Sequence, residues 1–388
     1  MKDVYKINWF DEFECIGGNC PSTCCKNWII TVDDECLSAI DKVSGWKRFA
    51  LKLLVGKRED GLRYIRQCNR TCPFFTRDGL CRHQLQDNMD LMPKICRVFP
   101  RRVMMLDTGE YKRVEVTLDL SCVEVARVFL NHLEKSYFIK TDDEFETLWV
   151  RKNTDPSFLE YLISFRDKIS EEIWREEDLF SIMKRHFLYA KLCQKNLVSN
   201  KNIYDLDCLD NLDIDEKADS DFIIPIKVIN DIIFNLFSWD EVKKKNPVFY
   251  RLLKTYEKVY GNDSEKAFQK KLEAYILSLK RNDKLLNKYR AYYQYCINLD
   301  MMDCFDSYYL LGAVLFPILY VDLLMIFDMV SENDGFNSKL LKQKENTFEP
   351  MILASVERAF RHSDKRKKEI LNKIRANLLT DIIVSDML

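Results

Sequence analysis

The chain has 388 residues, room for two or three domains at about 150 residues each. Its 47% apolar and 12% aromatic content supplies a core and excludes a disordered chain. Lys+Arg of 60 against Asp+Glu of 61 leaves a net charge of −1, so the cationic excess that displaces phosphate counterions is lacking and nucleic acid is not an expected partner. The opening MKDVYKINWFDEFEC carries Asp3, Asp11, Glu12 and Glu14 without an apolar run. No secretory leader is expected from it, and the expected compartment is the cytoplasm.

Taken in chain order, Trp28–Val32 (WIITV) reads as a short strand stopped by Asp33 and Asp34, either of which can cap a following helix. Val103–Leu106 and Tyr111–Leu118 read as a hairpin with Gly109 in its turn. Ser121-Cys122-Val123-Glu124 reads as a capping box, and from Val123 onward the signals are helical. Asp155-Pro156 opens a helix with Phe158, Leu159, Leu162, Ile163 and Ile169 on one face. Leu179, Met183, His186, Ala190 and Cys193 form another stripe. Residues 205–221 are acidic and read as a surface loop. Ser238 to Glu241 reads as a second capping box, and Asn246-Pro247 opens a helix that Gly261 can close.

Ser307–Val321 is uncharged, but a span needs about 20 residues. Asp306 and Asp322 bracket the run and Pro317 interrupts it. It reads as a buried core helix, and no membrane span is expected. The basic run Lys365–Lys368 reads as the solvated face of a C-terminal helix whose apolar side holds Ile370, Leu371, Ile374 and Leu378. The expected architecture is mostly α: an N-terminal cysteine-rich α+β metal-binding module over residues 1–140, then an all-helical domain over residues 141–388.

Fourteen cysteines are many for a reducing compartment, and ten of them lie between Cys15 and Cys122. A block this dense points to metal rather than disulfides. The pattern is Cys15-x4-Cys20-x3-Cys24-Cys25, then Cys68-x3-Cys72-x8-Cys81-x14-Cys96, with Cys122 after the hairpin. Zinc and iron–sulfur clusters both use sets of four thiolates. Paired C-x2-C knuckles are absent and His83 is the only histidine in the block, which favours a cluster, with zinc as the alternative. Cys122 in a helix's first turn would have a lowered pKa. Arg97, Arg101 and Arg102 follow Cys96 and could neutralise a cluster or a ligand carboxylate. Cys193, Cys208, Cys296 and Cys304 read as small buried hydrophobes.

The runs CIGGNCPSTCCKNWIITVD (Cys15–Asp33), TCPFFTRDGLC (Thr71–Cys81), CRVFPRR (Cys96–Arg102) and SCVEVAR (Ser121–Arg127) resemble the flagellin lysine-N-methylase family over roughly the first third of the chain. The cysteines at matching positions are Cys15, Cys20, Cys24, Cys25, Cys72, Cys81, Cys96 and Cys122; Cys36 and Cys68 fall outside the motifs. Val123 departs from the proline usual in the family. The resemblance implies transfer of methyl groups from S-adenosylmethionine to flagellin lysines, with an iron–sulfur cluster, of the 4Fe-4S type, as cofactor. A more distant resemblance to small zinc- or iron-chelating cysteine proteins leaves a non-enzymatic metal-binding or redox-sensing module as the alternative.

No G-x-G occurs in the chain, so the methyl donor would not be held on a Rossmann-type loop. Arg97, Arg101 and Trp28 are the candidate cofactor-binding residues. Cys20-x3-Cys24-Cys25 only approximates the C-x3-C-x2-C of radical enzymes, which leaves polar and radical transfer both open. The eight matching cysteines allow one four-thiolate centre or two. Cys24 and Cys25 are adjacent and point in different directions, so one centre is not expected to use both. A groove between helices beside the cysteine module, bearing rings and acidic residues, is the expected place for a lysine-bearing segment.

Overall fold

The computed structural model describes residues 2–199, 204, 206–209, 224–261, 263–332, 348–362 and 364–378. Most of the acidic stretch near 205–221 lies outside them, as do the side chains of Cys208 and Leu378. The chain opens with strand β1 (Lys2–Ile7) and then leaves the sheet for a long excursion. This carries α1 (Asp34–Lys42), α2 (Gly45–Leu53), the small antiparallel pair β2 (Val55–Lys57) and β3 (Arg63–Ile65), α3 (Arg82–Leu85) and α4 (Lys94–Val98). The chain returns as the hairpin β4 (Arg101–Asp107) and β5 (Lys112–Leu118), followed by α5 (Val123–Asn131), β6 (Phe138–Thr141) and β7 (Trp149–Lys152).

The main sheet has the order β6-β1-β5-β4-β7. β1 runs parallel to β5, β7 runs parallel to β4, and β6 and the hairpin pairing are antiparallel. Gly109 sits in the expected hairpin turn, with φ of 93°. Along β5 the alternation puts Val114, Val116 and Leu118 on one face and Arg113, Glu115 and Thr117 on the other, yet all six are buried. Both faces of the strand are therefore covered, and its charges are paired inside. Glu115 accepts from Arg113 and from Arg166 of the later helix Pro156–Glu172, each at 2.7 Å. Burial pushes the Glu115 carboxyl up, and the two guanidinium groups outweigh it and hold the pKa low.

Helices fill the remainder: α6 (Pro156–Glu172), α7 (Leu179–Ser199), α8 (Ile226–Asn235), α9 (Trp239–Lys245), α10 (Pro247–Val259), α11 (Glu265–Leu279), α12 (Asp283–Asp300), α13 (Cys304–Ser307), α14 (Leu310–Ser331), α15 (Phe348–Phe360) and α16 (Asp364–Leu378). Local signals set several starts. Asp155 accepts from the amides of Ser157 and Phe158 ahead of Pro156, and Asn246 accepts from Phe249 ahead of Pro247. α14 is long and apolar enough to cross a membrane, but every residue of it is buried among α7, α10, α12 and α15. It is the axis of the helical layer. One continuous apolar core runs from Ile7 and Trp9 through the sheet to Ile370 and Ile374 of α16.

Four expectations are corrected. WIITV forms no strand; only Thr31 makes an isolated bridge, to Tyr64. β1 was not anticipated, because its main partner β5 is more than a hundred residues away in sequence. Two strands, β6 and β7, interrupt the helical region after Val123. The capping box does not form: Cys122 takes the N-cap position of α5, Ser121 N–H donates to Asp119, and Glu124 pairs with Arg127. Ser238 stands at the N-cap of α9 without a side-chain cap bond.

Candidate metal centre and adjoining cleft

The excursion between β1 and β4 builds a small lobe with its own core of Ile30, Val32, Cys36, Ile40, Ile65 and Cys72. Asp33 anchors it by accepting from the amides of Cys36, at the start of α1, and Lys94, at the start of α4. Cys15, Cys20, Cys24 and Cys25 lie on the loop around a tight turn at Gly17–Asn19. Cys81 precedes α3, Cys96 sits within α4, and Cys122 stands on the main body at the start of α5. Backbone bonds gather these segments. Cys72 N–H donates to the Cys25 carbonyl at 2.9 Å, and Phe75 bridges Cys81. Cys25, Cys72 and Cys96 belong to the lobe's apolar cluster, whereas Cys122 packs on the body's core.

The charges acting on each thiol sort them into two neighbourhoods. Cys96 feels Cys72, Cys25 and Cys81, and Cys72 feels Cys25 and Cys81. Cys122 feels Cys20 and Arg358, and Cys20 feels Arg358 and Cys15. Cys24 lies at the boundary. It neighbours Cys25 and feels both Cys96 and Cys122. The two thiols titrate as a pair, the neighbouring Cys24 holding Cys25 below the usual thiol range while Cys24 itself is pushed far above it. Burial pushes Cys72 up to about 11 and Cys96 higher still. At Cys122 the amides of Val125 and Glu124 act in the expected direction, but burial outweighs them and the thiol rises to about 11. The expected lowering at this position is therefore reversed, and a metal bound there would have to displace protons. Among the described residues no three His, Cys, Asp or Glu side chains form a ready cage for a single ion.

The other candidate residues are placed as follows. Trp28 donates from its indole N–H to the Cys24 carbonyl and packs against Phe99, with ring centres 5.5 Å apart. Arg97 is engaged by Glu146 and Glu35 and by the Met92 carbonyl. Arg101 lies over the Phe13 ring, and Arg102 lies over Trp149 beside Asp303. His83 is buried against Phe74, and among the described residues neither ring nitrogen has a hydrogen-bond partner. Cys36 is buried and donates to the Leu91 carbonyl, and Cys68 is exposed. Cys193, Cys296 and Cys304 are buried in the body.

Sequence reasoning missed Arg358. It reaches from α15 to the cysteine loop, where its Nε donates to the Ser121 carbonyl at 2.8 Å and its terminal nitrogens donate to the hydroxyl and carbonyl of Ser22. Beside it a cleft of about 290 Å³ opens between the cysteine loop and α9, α10 and α15, with Gly18, Cys20, Lys26, Lys245 and Met351 among its walls. A groove between the cysteine module and helices was expected to be acidic. Among the described residues this one is lined by Lys26, Lys245 and Arg358 and by no Asp or Glu. A wider open groove, about 810 Å³, lies on the lobe itself and is the acidic one, with Asp34, Glu35, Asp87 and Asp90 on its walls beside Lys42 and Arg97.

Compared with known proteins, the chain is 28% identical over 133 residues to a lysine-N-methylase of Salmonella choleraesuis (strain SC-B67), covering 31% of this chain and 30% of that protein. It is 27% identical over 133 residues to the flagellar biosynthetic protein FliU of Salmonella muenchen, covering 31% of this chain and 72% of that protein. The match thus spans less than a third of the methylase's length. No family model and no solved structure matches the chain.

Proposed function

We propose that this protein is an S-adenosylmethionine-dependent protein-lysine N-methyltransferase that acts on flagellin in the cytoplasm and holds an iron–sulfur cluster, of the 4Fe-4S type, on its cysteine thiols. The observation that carries this reading is that eight cysteines from four separate stretches of chain fall into two neighbourhoods, one within the lobe and one where Cys122 of the body meets the cysteine loop. The names of the two relatives, a lysine-N-methylase and a flagellar protein, support it.

The donor chemistry fits a thiolate-held group. Cys25, Cys72, Cys81 and Cys96 are one candidate ligand set, and Cys15, Cys20, Cys24 and Cys122 are the other. A tetrahedral zinc, with bonds of about 2.3 Å, requires four sulfurs nearly in contact. Among the described residues no such cage is formed, and the preference for a cluster rests on the irregular, thiolate-only spacing of the cysteines. When bound, a cluster supplies Lewis-acidic iron and one-electron chemistry. The protein's own part is enclosure and charge. Lysine's ammonium has a reference pKa of about 10.4, so polar transfer needs an environment that disfavours the charged form. Partial burial at the lobe–body junction acts in that direction.

The test is anaerobic purification with iron and sulfide analysis, followed by incubation with flagellin and labelled S-adenosylmethionine and mass spectrometry of the flagellin lysines. Methylated lysines, lost in Cys81→Ala and Cys96→Ala together with the iron, support the reading. A protein replete in iron and sulfide that methylates no lysine would return the chain to the metal-binding or redox-sensing alternative.

A further inference from the structure

The cleft beside Arg358 has a composition that narrows its ligand. Among the described residues three cations and no carboxylate line it. Lys245 is paired with Glu241, one helical turn away, whereas Lys26 lies over the Phe75 ring at 4.9 Å. Arg358 gives Nε–H to Ser121 and its terminal nitrogens to Ser22, which uses three of the five N–H donors of a guanidinium. Among the described residues no carboxylate forms an ion pair with it. The groups that favour its charge are the Cys122, Cys20 and Cys24 sulfurs and Asp119, which itself pairs with His362; while those thiols are protonated, a partly buried guanidinium gains from an anion that a ligand supplies. The remaining donors match the bidentate geometry that a carboxylate or phosphate prefers.

The floor of the cleft is shaped for close approach. A Cβ built on Gly18 would stand 2.2 Å from the Asp78 carbonyl oxygen, and one on Gly79 would stand 2.8 Å from the Gly18 Cα. Any larger residue would push the 17–18 turn away from the 78–79 turn and deform the wall that carries Cys20. Met351 and Val248 supply an apolar side. A lysine ammonium or a sulfonium is repelled by this lining, so the anionic end of a ligand is the end it takes.

We propose that this cleft is a binding site for the carboxylate end of a small-molecule ligand, with Arg358 as its anion-binding residue. Resting on the methyltransferase reading above, the ligand is the methyl donor, anchored by its amino-acid carboxylate beside Cys20. The site is built from both ends of the chain. α15 brings the guanidinium to a loop that begins only 15 residues into the sequence, so donor binding would depend on the lobe and body being docked.

The experiment uses the full-length, anaerobically reconstituted protein and calorimetric titration with two nucleosides. S-adenosylhomocysteine keeps the carboxylate and lacks the sulfonium charge, whereas 5′-methylthioadenosine lacks the amino-acid end altogether. Arg358→Gln is expected to weaken S-adenosylhomocysteine about tenfold or more, the worth of a charge-assisted bond, and to leave methylthioadenosine within about twofold. Arg358→Lys should recover part of the loss. Among the described residues the Lys26 side chain makes no hydrogen bond or ion pair, only the ring contact with Phe75, so Lys26→Gln should weaken only S-adenosylhomocysteine, about threefold; it keeps the test valid if Arg358→Gln loosens the lobe. Wild-type binding that none of these variants changes overturns the inference and leaves the methyltransferase reading standing. Failure of both nucleosides to bind removes the proposed donor instead. Inorganic phosphate then decides the cleft: Arg358-dependent phosphate binding sustains an anion site, and its absence overturns that as well.

Discussion

Helix α14 buries all 22 of its residues, whereas α2 in the lobe buries none of its nine. Trp46, Phe49 and Leu53 of α2 are 76%, 67% and 59% exposed. The body is held as most domains are, by one large core with its charges paired inside. Arg113, Glu115 and Arg166 form one such group, and Asp300, Arg361 and Glu357 form another. The lobe has six buried core residues and much irregular backbone. Asn27, Asn69, Arg70 and Asp87 all carry positive φ there, against Tyr308 alone among non-glycine residues described in the body. Each such residue costs about 1 kcal/mol or more. A core this small seldom pays for such a backbone. The contrast teaches that the thiols are placed where a bound group would contribute most to folding, which is how small metal-holding modules are stabilised.

The largest effect should come from breaking the body. Glu115→Ala leaves Arg113 and Arg166 facing each other under cover, and removing one partner from a buried charge group costs about 3–5 kcal/mol. Denaturant unfolding should show this as a loss shared by sheet and helices, because the core is continuous. Since the folded-state pKa of Glu115 is depressed, its contribution is present above the ordinary glutamate value and is lost as pH falls through the folded one. A smaller and more local effect is expected in the lobe. Cys81→Ala or Cys96→Ala should lower iron content sharply and remove hydrogen-exchange protection from residues 15–97 while the body keeps its own. Cys193→Ala, Cys296→Ala and Cys304→Ala should keep the iron and cost about 1 kcal/mol each through small cavities. Equal iron loss in the two groups, or loss of protection throughout, would mean that lobe and body are not separate in the way their cores imply.

The same division governs what the sequence makes legible. Asp33, Asp155 and Asn246 cap helices as read, because a cap is settled within four residues. The hairpin around Gly109 is equally local. β1 depends on a distant parallel partner, and β6 and β7 are four-residue strands with little pattern to read. The closeness of Cys15, Cys20, Cys24 and Cys25 is visible in their spacing, but which neighbourhood each joins is decided by tertiary packing. Arg97 looks like a free cation beside Cys96 until Glu146, 49 residues on, occupies it. Arg358 is the extreme case. Its bond to Ser121 spans 237 positions, and no local pattern announces it.

The smallest expected effect concerns Asp322, which tests how complete the body's burial is. Its carboxyl sits in the fully buried α14, and among the described residues Oδ2 has no hydrogen-bond partner. Burial alone pushes its pKa well above the ordinary carboxylate value. The folded state therefore holds the proton where the unfolded chain has released it. By linkage, that raised pKa makes stability fall as pH rises above about 4, the unfolded value, until the folded-state pKa is passed. Asp322→Asn keeps the shape and removes the titration. It should be more stable than the wild type at neutral pH, because it is spared the cost of keeping a buried carboxyl protonated, and show no advantage near pH 3, where both forms are uncharged. Thermal unfolding of the two proteins from pH 3 to pH 8 gives the difference directly. A constant difference across that range would mean that water or a cation reaches Asp322, and that the axis of the body is less sealed than α14's burial shows.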